Sequence, residues 1–309
     1  MKFYMKLNLK TIIGVCLLAL GSNAFAQQDP QFTQYMYNTL SVNSAYAGTR
    51  GHVAITAIHR SQWAGLEGAP ETQTLSFDSP IGRNLGLGIS IVQDKLGPSK
   101  ETYFDANLSY SIKTSKTHRL SLGLKGGLRL LNIDWSRGNH QASGDILFQE
   151  NINRTLPTLG AGLYYYSEKS YLGFSIPNFF ADQHYDDIQG GVATERLHMF
   201  FIGGLVRNIS DNIKFKPAFL LKSVSGAPLI LDLSANFMFN EKFRLGASYR
   251  WDDSVSGLIG LQVSPKLLLG YSYDYTTTEL QRVNSGTHEF MLRFELISKE
   301  RKLKSPRFF

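Results

Sequence analysis

The segment His288 to Ile297 sets two incompatible faces on one short stretch. Phe290, Leu292, Phe294 and Leu296 fall on one side, and Glu289, Met291, Arg293 and Glu295 on the other. A period of two sends successive side chains to opposite faces of a strand. One face is wholly apolar and the other carries ions of both signs. Similar segments of about ten residues recur along the chain, the signature of strands in a transmembrane β-barrel, with lipid outside and water inside.

Residues 1–26 read as a cleaved signal peptide. Lys2, Lys6 and Lys10 form a positive start, Ile12 to Leu20 a short apolar run, and Ala24-Phe25-Ala26 an A-x-A cleavage site, so the mature chain is expected to begin at Gln27. The apolar run is too short to span about 30 Å of hydrocarbon. Cys16, the one cysteine, lies inside this leader behind a poor lipobox. The mature chain then offers no thiol for disulfides, catalysis or metal ligation. The formal net charge of +7 falls to +4 once the three leader lysines are removed, and no basic stripe interleaved with aromatics marks a nucleic-acid partner. Composition alone remains compatible with a water-soluble β-protein.

Alternation predicts an all-β, antiparallel barrel of about 14 strands. They run over 52–60, 72–79, 85–93, 102–112, 119–131, 157–166 and 171–178, then 196–206, 213–222, 230–239, 243–251, 255–263, 267–275 and 287–297. In the fourth, Phe104, Ala106, Leu108, Tyr110 and Ile112 oppose Asp105, Asn107, Ser109 and Ser111. A Lys or Arg facing mid-bilayer lipid costs about 2–4 kcal/mol. The charges Asp105, Lys125, Arg129, Asp232, Glu289, Arg293 and Glu295 are therefore expected to face the lumen. There they either tune solute selectivity or pair with one another and with the N-terminal segment.

Connection length varies with parity. The even-numbered links, such as Pro80–Asn84 and Asn240–Lys242, are short. The odd-numbered ones are mostly longer, notably Asn132–Leu156, Phe179–Glu195 and Thr276–Gly286, with Asp252–Ser254 an exception. Outer-membrane barrels have short periplasmic turns and longer outer loops. Both termini are then periplasmic. This divides the chain into the leader, an N-terminal segment at 27–51, a barrel at 52–298 and a basic periplasmic tail at 299–309. The N-terminal segment is aromatic and amide-rich without clean periodicity. Folding into the lumen as a plug, docking on a partner and mobility all stay open.

Tyr164, Tyr165, Tyr166, Tyr249, Trp251, Tyr273 and Tyr275 fall near strand ends, as in interfacial girdles, although strand propensity alone favours aromatics there. Glycines at 86, 88, 123, 126, 127, 160, 162, 203 and 204 lie inside strands and suit barrel curvature or close backbone approach rather than phosphate binding. No G-x-S-x-G, H-E-x-x-H or P-loop motif occurs. His52 and His59 fall on different faces of one strand and make no metal pair. Ser61 beside His59 is a weak hydrolase candidate, so neither catalysis nor a cofactor is expected.

The run Gln28-Asp29-Pro30-Gln31-Phe32-Thr33-Gln34-Tyr35, continued by Asn43-Ser44-Ala45-Tyr46-Ala47-Gly48, resembles the PorP/SprF family of type IX secretion outer-membrane proteins. Ser44 stands where the family usually has Pro. Arg60-Ser61-Gln62-Trp63, Gly68-Ala69-Pro70 with Thr72, Gly286-Thr287-His288-Glu289 and the ending Ser305-Pro306-Arg307-Phe308-Phe309 extend the likeness over nearly the whole mature chain. The resemblance implies an integral outer-membrane barrel that helps deliver or anchor a very large surface adhesin, of the kind used in gliding motility, through a type B C-terminal signal. It also implies contacts with periplasmic peptidoglycan-linked secretion components. On this resemblance Asp29, Pro30, Phe32, Gln34, Tyr35, Asn43, Ala45, Tyr46, Ala47, Gly48, Arg60, Gln62, Trp63 and Pro70 are structural or partner-binding positions. Phe32, Tyr35 and Tyr46 would be the anchors of a plug or docking element. A small-solute porin is the competing reading.

Overall fold

The structure, a computed structural model, describes residues 31–137, 151–180, 197–225 and 227–297. The leader, Asp29, Pro30, the tail at 299–309 and parts of the two longest connections lie outside the described residues. Each alternating segment forms a strand. They are β1 (Val53–Ser61), β2 (Glu71–Pro80), β3 (Leu85–Leu96), β4 (Ser99–Lys113), β5 (Arg119–Ile133), β6 (Ile152–Tyr166), β7 (Ser170–Ile176) and β8 (His198–Leu205). There follow β9 (Arg207–Ser210), β10 (Ile213–Val224), β11 (Ile230–Phe239), β12 (Phe243–Arg250), β13 (Ser254–Ser264), β14 (Leu267–Thr276) and β15 (Thr287–Leu296).

β8 and β9 are two halves of one stave, since both pair with β10. The break at Val206 lies opposite Lys216 and Pro217, and proline has no N–H to give to the ladder. Fourteen staves result. All pair antiparallel with their sequence neighbours, and β15 closes on β1 from Val53↔Leu296 to Ser61↔His288. Closure joins the first and last staves, so neither leaves an edge to face lipid, where an unsatisfied backbone group costs several kcal/mol.

Burial runs opposite to that of a soluble protein. On β15, Phe290 is 55% exposed on the outer wall while Glu289 is fully buried inside. The same inversion marks β5, where Leu122, Leu124, Leu128 and Leu130 face out and Ser121 and Arg129 face in. An apolar exterior over a charged interior is stable only against lipid.

β4, β5 and β6 each have 15 residues, against 7–12 for the other uninterrupted staves. Fifteen residues make about 50 Å of strand, more than a tilted strand needs to cross an apolar band about 25 Å tall. The outward positions of the surplus turn polar: Lys100 and Thr102 on β4, Asn132 on β5, and Asn153 and Thr155 on β6. This wall rises past the membrane into water. The stretch from 94 to 101, expected as a connection, instead stays paired up to Leu96↔Ser99, leaving a turn of Gly97 and Pro98. Gly97 supplies the positive φ (54°) that so tight a turn requires.

The six turns at the opposite end are all short, and β11–β12 turns through Asn240 and Glu241, both at positive φ. That is the type I′ turn whose twist matches the flanking strands. The short-turn end is the periplasmic one and the tall wall stands at the outer one. Tyr165, Tyr249, Trp251 and Tyr275 are exposed on the outer wall near strand ends, as a girdle requires. Tyr164 and Tyr166 do not join it. Alternation turns them inward, where Tyr164 packs against Tyr166 and Tyr171.

Leu124→Lys places a cation on the lipid face at a site 63% exposed. The expected loss is about 2–4 kcal/mol, read as a lower urea midpoint of the protein refolded into vesicles. Asn132→Lys, on the same strand above the membrane, is expected to leave that midpoint unchanged.

Candidate functional site

Residues 31–51 occupy the lumen. With no alternating pattern they form no stave. Instead they make turns, including single 3-10 turns at Thr39–Ser41 and Ser44–Tyr46. Phe32, Gln34, Tyr35, Asn43, Ala45, Tyr46 and Ala47 are all buried, with Ala45 at 0% exposure. A chain without sheet pairing must find other partners for its peptide groups, and the barrel wall supplies them.

Near the outer end the wall grips the backbone with charge. Glu289 on β15 accepts from the amides of Thr33 and Gln34, both at 2.9 Å. The Thr33 hydroxyl donates to Asp274 on β14 at 2.7 Å. Arg60, at the outer end of β1, joins the two carboxylates, 2.9 Å from Asp274 and 3.0 Å from Glu289. All four groups are buried, so each ion depends on the others for its solvation.

Midway, Lys216 on β10 donates to the Met36 carbonyl at 3.1 Å and lies 5.0 Å from the centre of the Tyr37 ring. Arg244 sits 5.2 Å from that same ring, and the Tyr37 hydroxyl donates to Asn236.

The turn at Ser44–Tyr46 rests on a floor of glycines. A Cβ on Gly123 would overlap the backbone of Ser44 and Ala45. One on Gly86 would strike the Ala47 carbonyl, and one on Gly162 the Asn43 side chain. Gly126 meets nothing, so close approach explains only some of the strand glycines. Asn43 is used on both sides. Its Oδ1 accepts from Ala45 N at 2.9 Å and its Nδ2 donates to the Leu163 carbonyl at 2.9 Å. Ser175 and Ser109 donate to the carbonyls of Val42 and Ala47, each at 2.6 Å. Tyr46 stacks edge-on to Tyr164 at 5.5 Å.

At the periplasmic end Gly48 donates its amide to Asp78. Arg50 binds Glu295 at 2.9 Å, with Arg293 3.9 Å from the same carboxylate oxygen. One void beside Tyr37, Gln34 and Arg244 is about 10 Å³, room for about one water.

The remaining lumen charges pair within the wall. Asp105 meets Lys125 at 3.1 Å and accepts from Thr158. Arg129 meets Glu101 at 2.8 Å, and Asp232 meets Arg250 at 3.2 Å. Gln62, Trp63 and Pro70 lie in the first outer loop. Gln62 N donates to the Pro70 carbonyl at 2.9 Å, and Trp63 N to the Thr287 hydroxyl at 3.1 Å. Ala64 N donates to the Gly286 carbonyl at 2.8 Å and Ser285 N to the Ala64 carbonyl at 2.7 Å, so the loop after β1 is stitched to the one before β15. Sequence reasoning missed Thr33, Asp274, Lys216, Arg244 and Asp78 as partners in this assembly. Asp274 carried a signal, being the one ion of its strand and on the inward parity; Lys216 shares its parity with Lys214 and Lys222 on β10.

The family model for the type IX secretion system membrane protein PorP/SprF matches residues 24–294. Among solved structures, the chain is similar to the Acinetobacter baumannii outer membrane protein Omp33, with 8% identity, 79% of this chain and 98% of that chain covered, and a TM-score of 0.46. It is also similar to the CymD monoaromatic hydrocarbon channel, with 13% identity, 84% and 91% covered, and a TM-score of 0.49. No curated protein matches the sequence.

Two outcomes are expected. Glu289→Ala leaves the buried Thr33 and Gln34 amides without their acceptor, while Arg60 keeps Asp274, and should cost about 1–3 kcal/mol for each stranded amide, measured by urea unfolding. The intact protein should show no steady conductance in planar bilayers, whereas a variant lacking residues 32–48 should open a stable channel. Steady conductance by the intact protein would show that the segment does not seal the lumen.

Proposed function

The chain belongs to the PorP/SprF family of type IX secretion system membrane proteins, and from that premise we propose that it helps export or anchor one large surface protein. It is an integral outer-membrane component of that secretion system. On our reading the cargo is adhesin-like, of the kind used in gliding motility, and carries a type B C-terminal signal. Its C-terminal domain is the part held at the outer end. The short-turn end and the basic tail face periplasmic, peptidoglycan-associated secretion components.

The filled lumen is the observation that favours this reading over a solute porin. A porin needs a continuous water path, and here the chain's own residues 31–51 are buried along the barrel axis. What stays available for work is the outer surface: the loop after β1, the loop before β15, and the tall wall of β3–β6. A cargo strand seeking main-chain partners meets no free stave edge along the β1–β15 seam, which is paired from end to end. Loops and the wall's top are the surfaces left for it.

Affinity purification from native outer membranes in mild detergent tests this. The expected result is one very large surface protein together with periplasmic secretion components. A barrel recovered without any partner would count against it.

A further inference from the structure

A groove of about 1050 Å³ crosses the lipid-facing wall at the seam where β15 closes on β1. One register row runs along it. Ile91 on β3 pairs with Leu75, Leu75 with Ala57 and Ala57 with Leu292, and the row continues across β14 and β13 to Phe243 on β12. Six stave spacings make about 29 Å. Ala57 is the smallest side chain of the row and leaves room between Leu75 and Leu292. On the inner side, a Cβ on Gly270 would overlap the Gln34 side chain. The wall here lies close on the thread of residues 31–51 inside the lumen, and the same Gly270 lines the groove outside.

The row is diagonal in the membrane. Phe243 is the first residue of β12, at the short-turn end, whereas Ile91 lies six residues above the short-turn end of β3. Polarity changes along the way. Toward its outer end the groove is bordered by His59, Gln73 and Gln93, cross-strand neighbours on β1, β2 and β3. Two residues further out, Lys95 on β3 stands directly opposite Lys100 on β4. Both are exposed, and among the described residues neither makes an ion pair. Glu71, opposite Lys95 on the other side, turns instead to Gln73 at 3.1 Å and His59 at 4.0 Å. Like charges directly opposite one another destabilise a sheet, and an anion between them removes that cost.

We infer that this strip holds one lipid of the outer leaflet, with an acyl chain in the groove over Ala57 and a headgroup phosphate between Lys95 and Lys100. The groove faces hydrocarbon, so what fills it in the membrane is apolar. Its two ends differ in polarity as the two ends of a lipid do. Lys100 and Thr102 begin the polar part of the tall wall, so the lysines stand at headgroup height rather than beside the acyl chains.

Native mass spectrometry of the folded protein in mild detergent tests this, with dioleoyl phosphatidic acid as the added lipid and dioleoylglycerol as its phosphate-free counterpart. The expected result is one phosphatidic acid retained per barrel, severalfold more than dioleoylglycerol. Ala57→Phe fills the groove and should lower retention of both lipids severalfold. Leu124→Phe, on β5 and outside the groove, should leave retention unchanged. The double variant Lys95→Ala/Lys100→Ala, altered only above the apolar band, should lower phosphatidic acid to the level of dioleoylglycerol. Ala57→Leu replaces Ala57→Phe should the larger ring prevent folding. A barrel that retains no lipid, or one whose retention the Ala57 variant leaves unchanged, overturns the site. Equal retention of the two lipids by the unaltered protein overturns it as well. A two-barrel species that the Ala57 variant splits overturns it in favour of a second copy of this chain.

Discussion

A peptide group in hydrocarbon has no water to turn to, and every other feature of this molecule follows from that. The sheet must close, so β15 returns to β1 along its whole length. Closure fixes the alternation, because each stave then has one face for lipid and one for the interior. It also creates an interior that cannot be apolar throughout, since the apolar positions are committed to the outside. Ions such as Arg293 and Glu289 are thereby buried more completely than most leucines of the chain.

A charged interior has its own cost, and the luminal thread bears on it. Carboxylates that would otherwise require water bind main-chain amides and guanidinium groups instead. Glu289 is the clearest case, with two backbone amides and Arg60 around one side chain. The arrangement is mutual. The thread has no ladder partners, and the wall's serines, asparagines and carboxylates satisfy its peptide groups one by one. Neither a wall without the thread nor a thread without the wall meets its hydrogen-bonding needs.

The barrel was legible because its signal is local. Period-two alternation in segments such as 104–112 and 288–297 needs no knowledge of neighbours, and the parity of connection lengths gave the orientation. The tall wall was less legible. Past the membrane, outward residues such as Lys100 and Asn132 become polar, so the two faces no longer differ and 94–101 resembles a loop. Tyr164 and Tyr165 look alike in sequence, and only the register separates the inward ring from the outward one. The thread was the least legible part. Its contacts join residues from 30 positions apart, as between Gly48 and Asp78, to 256, as between Thr33 and Glu289, and no spacing rule reaches that far. The motif residues from Phe32 to Gly48 carry a family resemblance, but a motif does not say which wall residues surround it.

The luminal segment lies in the first sixth of the chain, and two of its charged anchors, Glu289 and Glu295, lie in the last tenth. Thr33 and Arg50 cannot be fastened until Glu289 and Glu295 exist, and both sit on the final stave. Contacts of such long range are the slowest to form, because the intervening chain must be ordered first. A barrel released early in assembly, or one missing its last hairpin, would therefore be left with an unfastened interior. The interior is fastened along its whole depth only when the two ends of the chain have met.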